Sequence, residues 1–138
     1  MPRRQGRRLD TGSFVDNSGT METSEAIAAF SAVAQHTRLD VFRLLVRHEP
    51  GGLASGDIAR ALDVPRNTMS SHLAILQQAG LVEGIRKGRS VIYRARLAAV
   101  REIVRFLLQD CCNGQPALCA PILEDLAANP AVKSRCCC

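Results

Sequence analysis

The chain has 138 residues, 46% of them hydrophobic, and a formal net charge of +5. That length and apolar content suit one compact domain with tails, and exclude both a disordered chain and two full-sized domains. No apolar run reaches the roughly 18 residues of a membrane span, and the arginine-bearing N-terminus lacks the apolar segment of a secretory signal, so a cytoplasmic protein without membrane contact is expected. Arginine outnumbers lysine sixteen to two, which favours bidentate contacts to phosphate or guanine. A basic balance alone remains a weak pointer to nucleic acid.

Residues 1–20 hold Arg3, Arg4, Arg7 and Arg8 among small polar residues, without periodicity. They read either as a mobile basic arm, whose arginines would add sequence-independent affinity for DNA, or as a non-native start, with Met21 as the alternative first residue. Residues 21–128 read as the folded domain and residues 129–138 as a flexible cysteine-rich tail. Over residues 23–35, Ala26, Ile27, Phe30, Val33 and Ala34 fall on one helical face. Thr37 is the expected cap of a second helix, with Asp40 three residues on; its apolar residues lie nearly all round, as in a central core helix. Pro50-Gly51-Gly52 ends it.

Ser55 is the candidate cap of a short helix through Ile58, Ala59 and Leu62. After the turn Asp63-Val64-Pro65, a helix over residues 65–78 turns Met69, Leu73, Leu76 and Ile75 inward and stops at Gly80. Two helices joined by so short a turn make a helix-turn-helix. Residues 81–94 then alternate with period two about Lys87-Gly88, a β-hairpin, which in this position is a wing. Leu97, Val100, Ile103, Val104, Leu107, Leu108 and Cys111 keep helical spacing in a long helix, and a short last helix is expected between Pro121 and Ala128. The expected fold is mainly α with a β-hairpin, a winged helix-turn-helix.

The helix over residues 65–78 crowds Arg66, Asn67, Thr68, Ser70, Ser71 and His72 into its N-terminal half. In a helix-turn-helix that half enters the major groove of double-stranded DNA. Arg66 can pair with guanine, Asn67 with adenine, and the hydroxyls with bases or phosphates. Arg86, Lys87 and Arg89 at the wing tip suit phosphate or minor-groove contacts. Between Arg86 and Arg105 there are seven basic residues and one acid, Glu102, and beside a helix-turn-helix such a run is an electrostatic footprint rather than merely a solvated face.

All six cysteines lie between Cys111 and Cys138, a clustering unlike a disulfide framework and suited to ligation or redox sensing. Cys111, Cys112 and Cys119, joined through Asn113-Gly114 and Pro116, gather soft thiolates that suit a thiophilic ion. Three sulfurs match the pyramidal As(III) or Sb(III), whereas zinc usually takes four ligands, and no histidine stands nearby. Cys111 also continues the apolar stripe, where a lone cysteine would be a small buried hydrophobe; its neighbour Cys112 and the returning Cys119 favour a ligand set. The negative end of the long helix keeps these thiols mostly protonated until an ion binds. A thiol redox or persulfide switch using Cys112 and Cys119 is the alternative. An enzyme is not expected: there is no C-x-x-C motif, no cysteine at a helix N-terminus, and no histidine or acid cluster near the triad. Cys136, Cys137 and Cys138 read as a frayed end.

Over residues 24–112 the chain resembles the ArsR/SmtB family of winged-helix repressors. The likeness rests on Ala34-Gln35-His36-Thr37-Arg38-Leu39, on Leu53-Ala54-Ser55-Gly56-Asp57-Ile58-Ala59, and most specifically on Ser70-Ser71-His72-Leu73 running into Ala79-Gly80-Leu81-Val82. The resemblance implies a homodimer joined through its first and last helices, bound to an imperfect palindromic operator and released by an inducer. Cys111, Cys112 and Cys119 resemble the C-terminal cysteine triad of some arsenic-responsive members, which implies As(III) or Sb(III) as inducer. The family's other sites are missing: no cysteine pair stands near Ala54 and Gly56, and residues 97–110 contain no histidine.

Overall fold

The computed structural model describes residues 20–111 and 115–129, apart from the side chains of Asp110 and Cys111. The arm arginines Arg3, Arg4, Arg7 and Arg8, the Asn113-Gly114 turn, Cys112, and the tail cysteines Cys136, Cys137 and Cys138 lie outside the described residues. Within them the order is α1 (Thr23–Val33), α2 (His36–Arg47), β1 (Leu53–Ala54), α3 (Ser55–Ala61), α4 (Arg66–Gln78), β2 (Val82–Lys87), β3 (Ser90–Ala95), α5 (Leu97–Cys111) and α6 (Pro116–Ala128). The expected helices and hairpin are present, and β1 is an addition. Its two residues pair antiparallel with Ile92 and Tyr93, giving a sheet in the order β1-β3-β2.

Three helix starts differ from expectation by a residue or two, for local reasons. α2 is capped by Gln35, whose side chain accepts from the Arg38 amide at 2.8 Å, rather than by Thr37. Asp40 pairs with His36 at 3.0 Å instead of closing a capping box. Ala54, not Ser55, is the cap of α3, and Pro65 is the cap of α4 rather than its first residue. α1 is opened by a capping box between Glu22 and Glu25. Its C-terminal carbonyls are met from the next helix, where Arg38 Nε donates to Ala32 O at 2.6 Å, a cation on the negative end of the helix.

The core is a set of small and branched side chains from α1 to β3, continued by Ala99 of α5. Val41, Leu45, Ile58, Met69, Leu73 and Leu76 are fully buried at its centre, and each such side chain contributes about 1.5–3 kcal/mol relative to leaving it in water. Of the face expected on α1, Ala26 is buried and Val33 packs against the core, but Ala29 and Ala32 complete it rather than Ile27 and Phe30, which are 59% and 38% exposed. Alanine lets the helix axis come close, and the bulkier residues are turned outward. Ile75, expected inward, is likewise exposed.

α3 and α4 both end in a reverse turn with a left-handed residue. Asp63 (φ 53°) follows α3 and Gly80 (φ 76°) follows α4, and Val64 N–H and Leu81 N–H reach back to Ala59 O and Leu76 O. These are Schellman endings. The first directs the chain into α4, and the second carries it into the wing. There β2 and β3 pair from Val82↔Ala95 to Lys87↔Ser90, so the turn is Gly88-Arg89, one residue later than expected.

The wing is fixed to the body by the turn after α2. Glu49 accepts from the Ala95 amide at 3.0 Å and from Arg94 at 2.9 Å. The hydrogen bond and charge of Glu49 raise the Arg94 pKa above its ordinary value. Gly52, at φ 73°, lies under β3, where an added Cβ would stand 2.5 Å from Tyr93 O.

Gly52→Ala should therefore lose about 2–5 kcal/mol, the sum of a left-handed φ and an overpacked Cβ. Gly88→Ala, with open space around the wing tip, should lose only about 1–2 kcal/mol. Urea denaturation of both variants checks this; equal losses would place no special demand on Gly52. Glu49→Ala should speed hydrogen exchange of the Ala95 amide by on the order of tenfold by removing its acceptor. Unchanged exchange would show that the carboxylate does not hold the wing.

Candidate nucleic-acid interface and thiol site

α4 divides cleanly between core and solvent. Met69, Leu73 and Leu76 have no exposure, while Arg66, Asn67, Thr68, Ser70 and Ser71 are all exposed. A spacing of three and four residues keeps the apolar set on one side, so the polar set has to face out. Ser70 and Ser71 donate back to the carbonyls of Arg66 and Asn67, at 3.0 and 3.3 Å, which turns their hydroxyl oxygens into ready acceptors. His72 differs from the rest. It is half-buried, and its Nδ1 is buried without a hydrogen-bond partner.

Arg66 is positioned by its neighbour helix. A Cβ added at Gly56 in α3 would lie 3.5 Å from the Arg66 guanidinium, so the bare backbone of α3 forms one wall for that side chain. Arg86, Lys87 and Arg89 are exposed at the far end of the hairpin. The structure thus presents two basic features, the start of α4 and the tip of the wing, on elements that share one rigid core. Sequence reasoning missed what fixes them: the Glu49 clamp on Arg94 and the Gly56 contact with Arg66. An acid beside Pro50 and an arginine in mid-strand were the available signals, but the pair is 45 residues apart.

At the other end of the chain Cys119 stands in the first turn of α6, not in a loop, because the helix begins at Pro116 and runs through Pro121. Proline at the first position has no amide to leave unsatisfied. Cys119 is 8% exposed and is the one buried residue of α6. Its Sγ lies 4.0 Å from Leu108 O near the end of α5. Cys119 is disulfide-bonded, to a cysteine whose side chain is outside the described ones. Among the described residues no group of three or more His, Cys, Asp or Glu gathers to hold a metal ion; Cys112 and the side chain of Cys111 are not among them. What the geometry offers is a buried sulfur against α5 with a second sulfur in bonding contact. Reduced, such a pair has the soft-donor chemistry of a thiophilic ion site.

A helix-turn-helix domain family model matches residues 33–85. An uncharacterised helix-turn-helix-type transcriptional regulator of Methanocaldococcus jannaschii is 32% identical over 83 residues, which cover 60% of this chain and 91% of that protein. Among solved structures, an ArsR-like transcriptional regulator from Rhodococcus sp. RHA1 superposes with a TM-score of 0.60 at 27% identity, over 77% of this chain and 94% of the other. The AntR antimony-specific transcriptional repressor superposes with a TM-score of 0.50 at 25% identity, over 79% and 91%. Its relatives are regulators rather than enzymes, and with a helix-turn-helix, a wing on the same core and the family's sequence blocks in their structural places, the chain belongs to the ArsR family of winged-helix DNA-binding transcriptional regulators.

Proposed function

We propose that this protein is a cytoplasmic, homodimeric repressor that binds operator DNA in its ion-free form and releases it when As(III) or Sb(III) is held by Cys111, Cys112 and Cys119. The observation that carries the sensing half is Cys119: the single buried residue of α6, seated against the end of α5 and already joined to another cysteine. The likeness to an antimony-specific repressor supports the same class of inducer.

On the DNA side, Arg66, Asn67, Thr68, Ser70 and Ser71 reach base edges and phosphates in the major groove, and His72 contributes from its exposed edge. Arg86, Lys87 and Arg89 take the flanking phosphates or minor groove. In a dimer the two copies of α4 have a fixed separation, so a change where the copies meet alters their fit to successive major grooves. Exposed apolar residues on α1 and on the last helices, Ile27, Phe30, Val104 and Leu107 among them, are the surface for that dimer. Gathering three sulfurs on one ion fixes α6 against α5, and so reaches the dimer surface directly. The residue range 21–128 is the functional unit in this reading.

The disulfide on Cys119 favours a second reading, a repressor switched by thiol oxidation or persulfide. Two thiols give up two electrons and two protons to an oxidant as the bond forms, so the oxidised pair cannot ligate until it is reduced.

Two measurements follow. With a duplex selected from a random pool on the wild-type protein, Arg66→Ala should lose about 1–3 kcal/mol and relax preference at one base position. Lys87→Ala should weaken all duplexes alike and reduce the salt slope by about 0.9; the opposite assignment of effects would overturn the division between α4 and wing. Arsenite added to the reduced protein should weaken operator binding roughly a hundredfold, about 2.7 kcal/mol of coupling. A Cys111→Ser Cys112→Ser double variant that still responds would sink the metalloid reading. Release by oxidant alone, reversed by reductant, would select the redox reading.

A further inference from the structure

Gly56 is the second residue of α3. Glycine costs a helix stability relative to alanine, so its place in that first turn calls for a cause. Backbone conformation is not the cause, since its φ is not positive. Crowding is not the cause either. A Cβ at Gly56 would stand 3.5, 3.8 and 3.9 Å from Nη2, Cζ and Nε of Arg66, its three nearest neighbours, and all three are ordinary van der Waals contacts. What a side chain at this position would meet is the guanidinium at the start of α4.

Distances so nearly equal put the added Cβ over the face of the guanidinium plane, not at its edge. A guanidinium donates in its plane, so resting face-on against α3 occupies none of its N–H groups. Charge does not hold it there. The start of a helix carries partial positive charge, and Arg66 is the first residue of α4, set beside the first turn of α3. The acid of that turn, Asp57, pairs with Arg60, and α4 has no acid in its own first turn. Shape is what remains: a bare patch of backbone on which a planar cation can lie.

We infer that residue 56 is a specificity-determining position, although it carries no side chain to meet a base. Glycine there lets the Arg66 guanidinium lie on α3 with its donor edges free. A longer side chain would take that place and drive the guanidinium off it. The inference rests on the reading of Arg66 as a guanine contact and names what aims that contact. Burial of Met69, Leu73 and Leu76 fixes the axis of α4, but it does not reach the end of a long side chain at the helix's first residue. Gly56 supplies that second support from across the turn.

The test measures how tightly the full-length reduced protein binds the selected duplex and duplexes changed one base pair at a time. Gly56→Leu should weaken the selected duplex about fivefold to a hundredfold, the loss of one bidentate contact. It should relax preference at the same base position as Arg66→Ala. In an Arg66→Ala background, Gly56→Leu should cost no more than about twofold, because its effect runs through the arginine. An equal loss in both backgrounds, spread over all duplexes, would mean that the substitution merely disturbs α3, and the inference would fail. An unchanged preference would also overturn it. Gly56→Ala keeps the question open to test if circular dichroism shows Gly56→Leu unfolded. It adds one Cβ at contact distance and favours the helix, so affinity should stay close to wild type. The Arg66 Nε–H resonance of the free protein should nevertheless move in its NMR spectrum, and an unmoved resonance would show that the guanidinium does not lie on α3. If Arg66→Ala itself changes no preference, the guanine reading fails and the specificity claim falls with it. A resonance that still moves then distinguishes that outcome from a failure of the Gly56 contact.

Discussion

The constraint on which the DNA-facing surface depends is the burial of Met69, Leu73 and Leu76 along one line of α4. Each is completely removed from water, and at about 1.5–3 kcal/mol apiece the three together are comparable with the whole stability of a small domain. α4 therefore cannot turn about its axis. A rotation by one residue, about 100°, would expose all three while burying arginine, asparagine and hydroxyl groups with nothing to satisfy them. The direction of Arg66, Asn67, Thr68, Ser70 and Ser71 is set from inside the core. The two Schellman endings serve the same purpose by fixing where α4 is entered and left.

The outer half of the wing has no such hydrophobic anchor, because residues 85–90 are all exposed, whereas Tyr93, further in on β3, packs against the core. It is held near its base instead. Val82 and Ala95 enter the core, and Glu49 takes both a strand amide and the Arg94 guanidinium. A carboxylate accepting from a charged donor and a backbone amide makes stronger bonds than a neutral acceptor, and here it spares β3 an unpaired buried amide. The tip, with Arg86, Lys87 and Arg89, is exposed beyond that anchorage. α4 fixed along its length and a wing fixed at its base are thus two different ways of presenting side chains from one core.

How far this was legible in the sequence follows from how local each cause is. The inward line of Met69, Leu73 and Leu76 on α4, though not the outward turn of Ile75, the hairpin and the order of helices were plain, because period and punctuation over ten to fifteen residues determine them. The solvent-facing side chains of α4 were readable for the same reason: once the apolar line is known, the polar residues have one place to go. What was hidden depends on distant partners. β1 is two residues long and exists because β3 arrives beside it. Glu49 and Arg94 carry no mark of each other. For α1, bulk misled: Ile27 and Phe30 are the larger hydrophobes, but the alanine face packs closer, and only the neighbouring helices reveal which face is used. At α6, Pro121 looked like a start because proline favours the first turn. Pro116 had the same qualification and came first.

α6 raises a thermodynamic question that the rest of the chain does not. Isolated helices of fewer than roughly 12–15 residues are marginal in water, and this one has 13 residues, a proline in its interior and a single buried side chain. Helix propensity does not hold it in place, and neither does intrachain burial of its leucines. Two sources of order remain: the sulfur of Cys119 at its first turn, and whatever covers the stripe from Leu118 to Leu126. If both act, they are coupled by necessity, since a helix fixed at its root by ligation or oxidation presents its stripe at a different angle, and with a different entropy cost, from one fixed only by contact. Thiol chemistry at Cys119 then needs no long pathway to reach the stripe. Cys119 and the apolar stripe are neighbours on one short helix, and a change of a few kcal/mol in how that helix is held is of the size by which allosteric proteins switch.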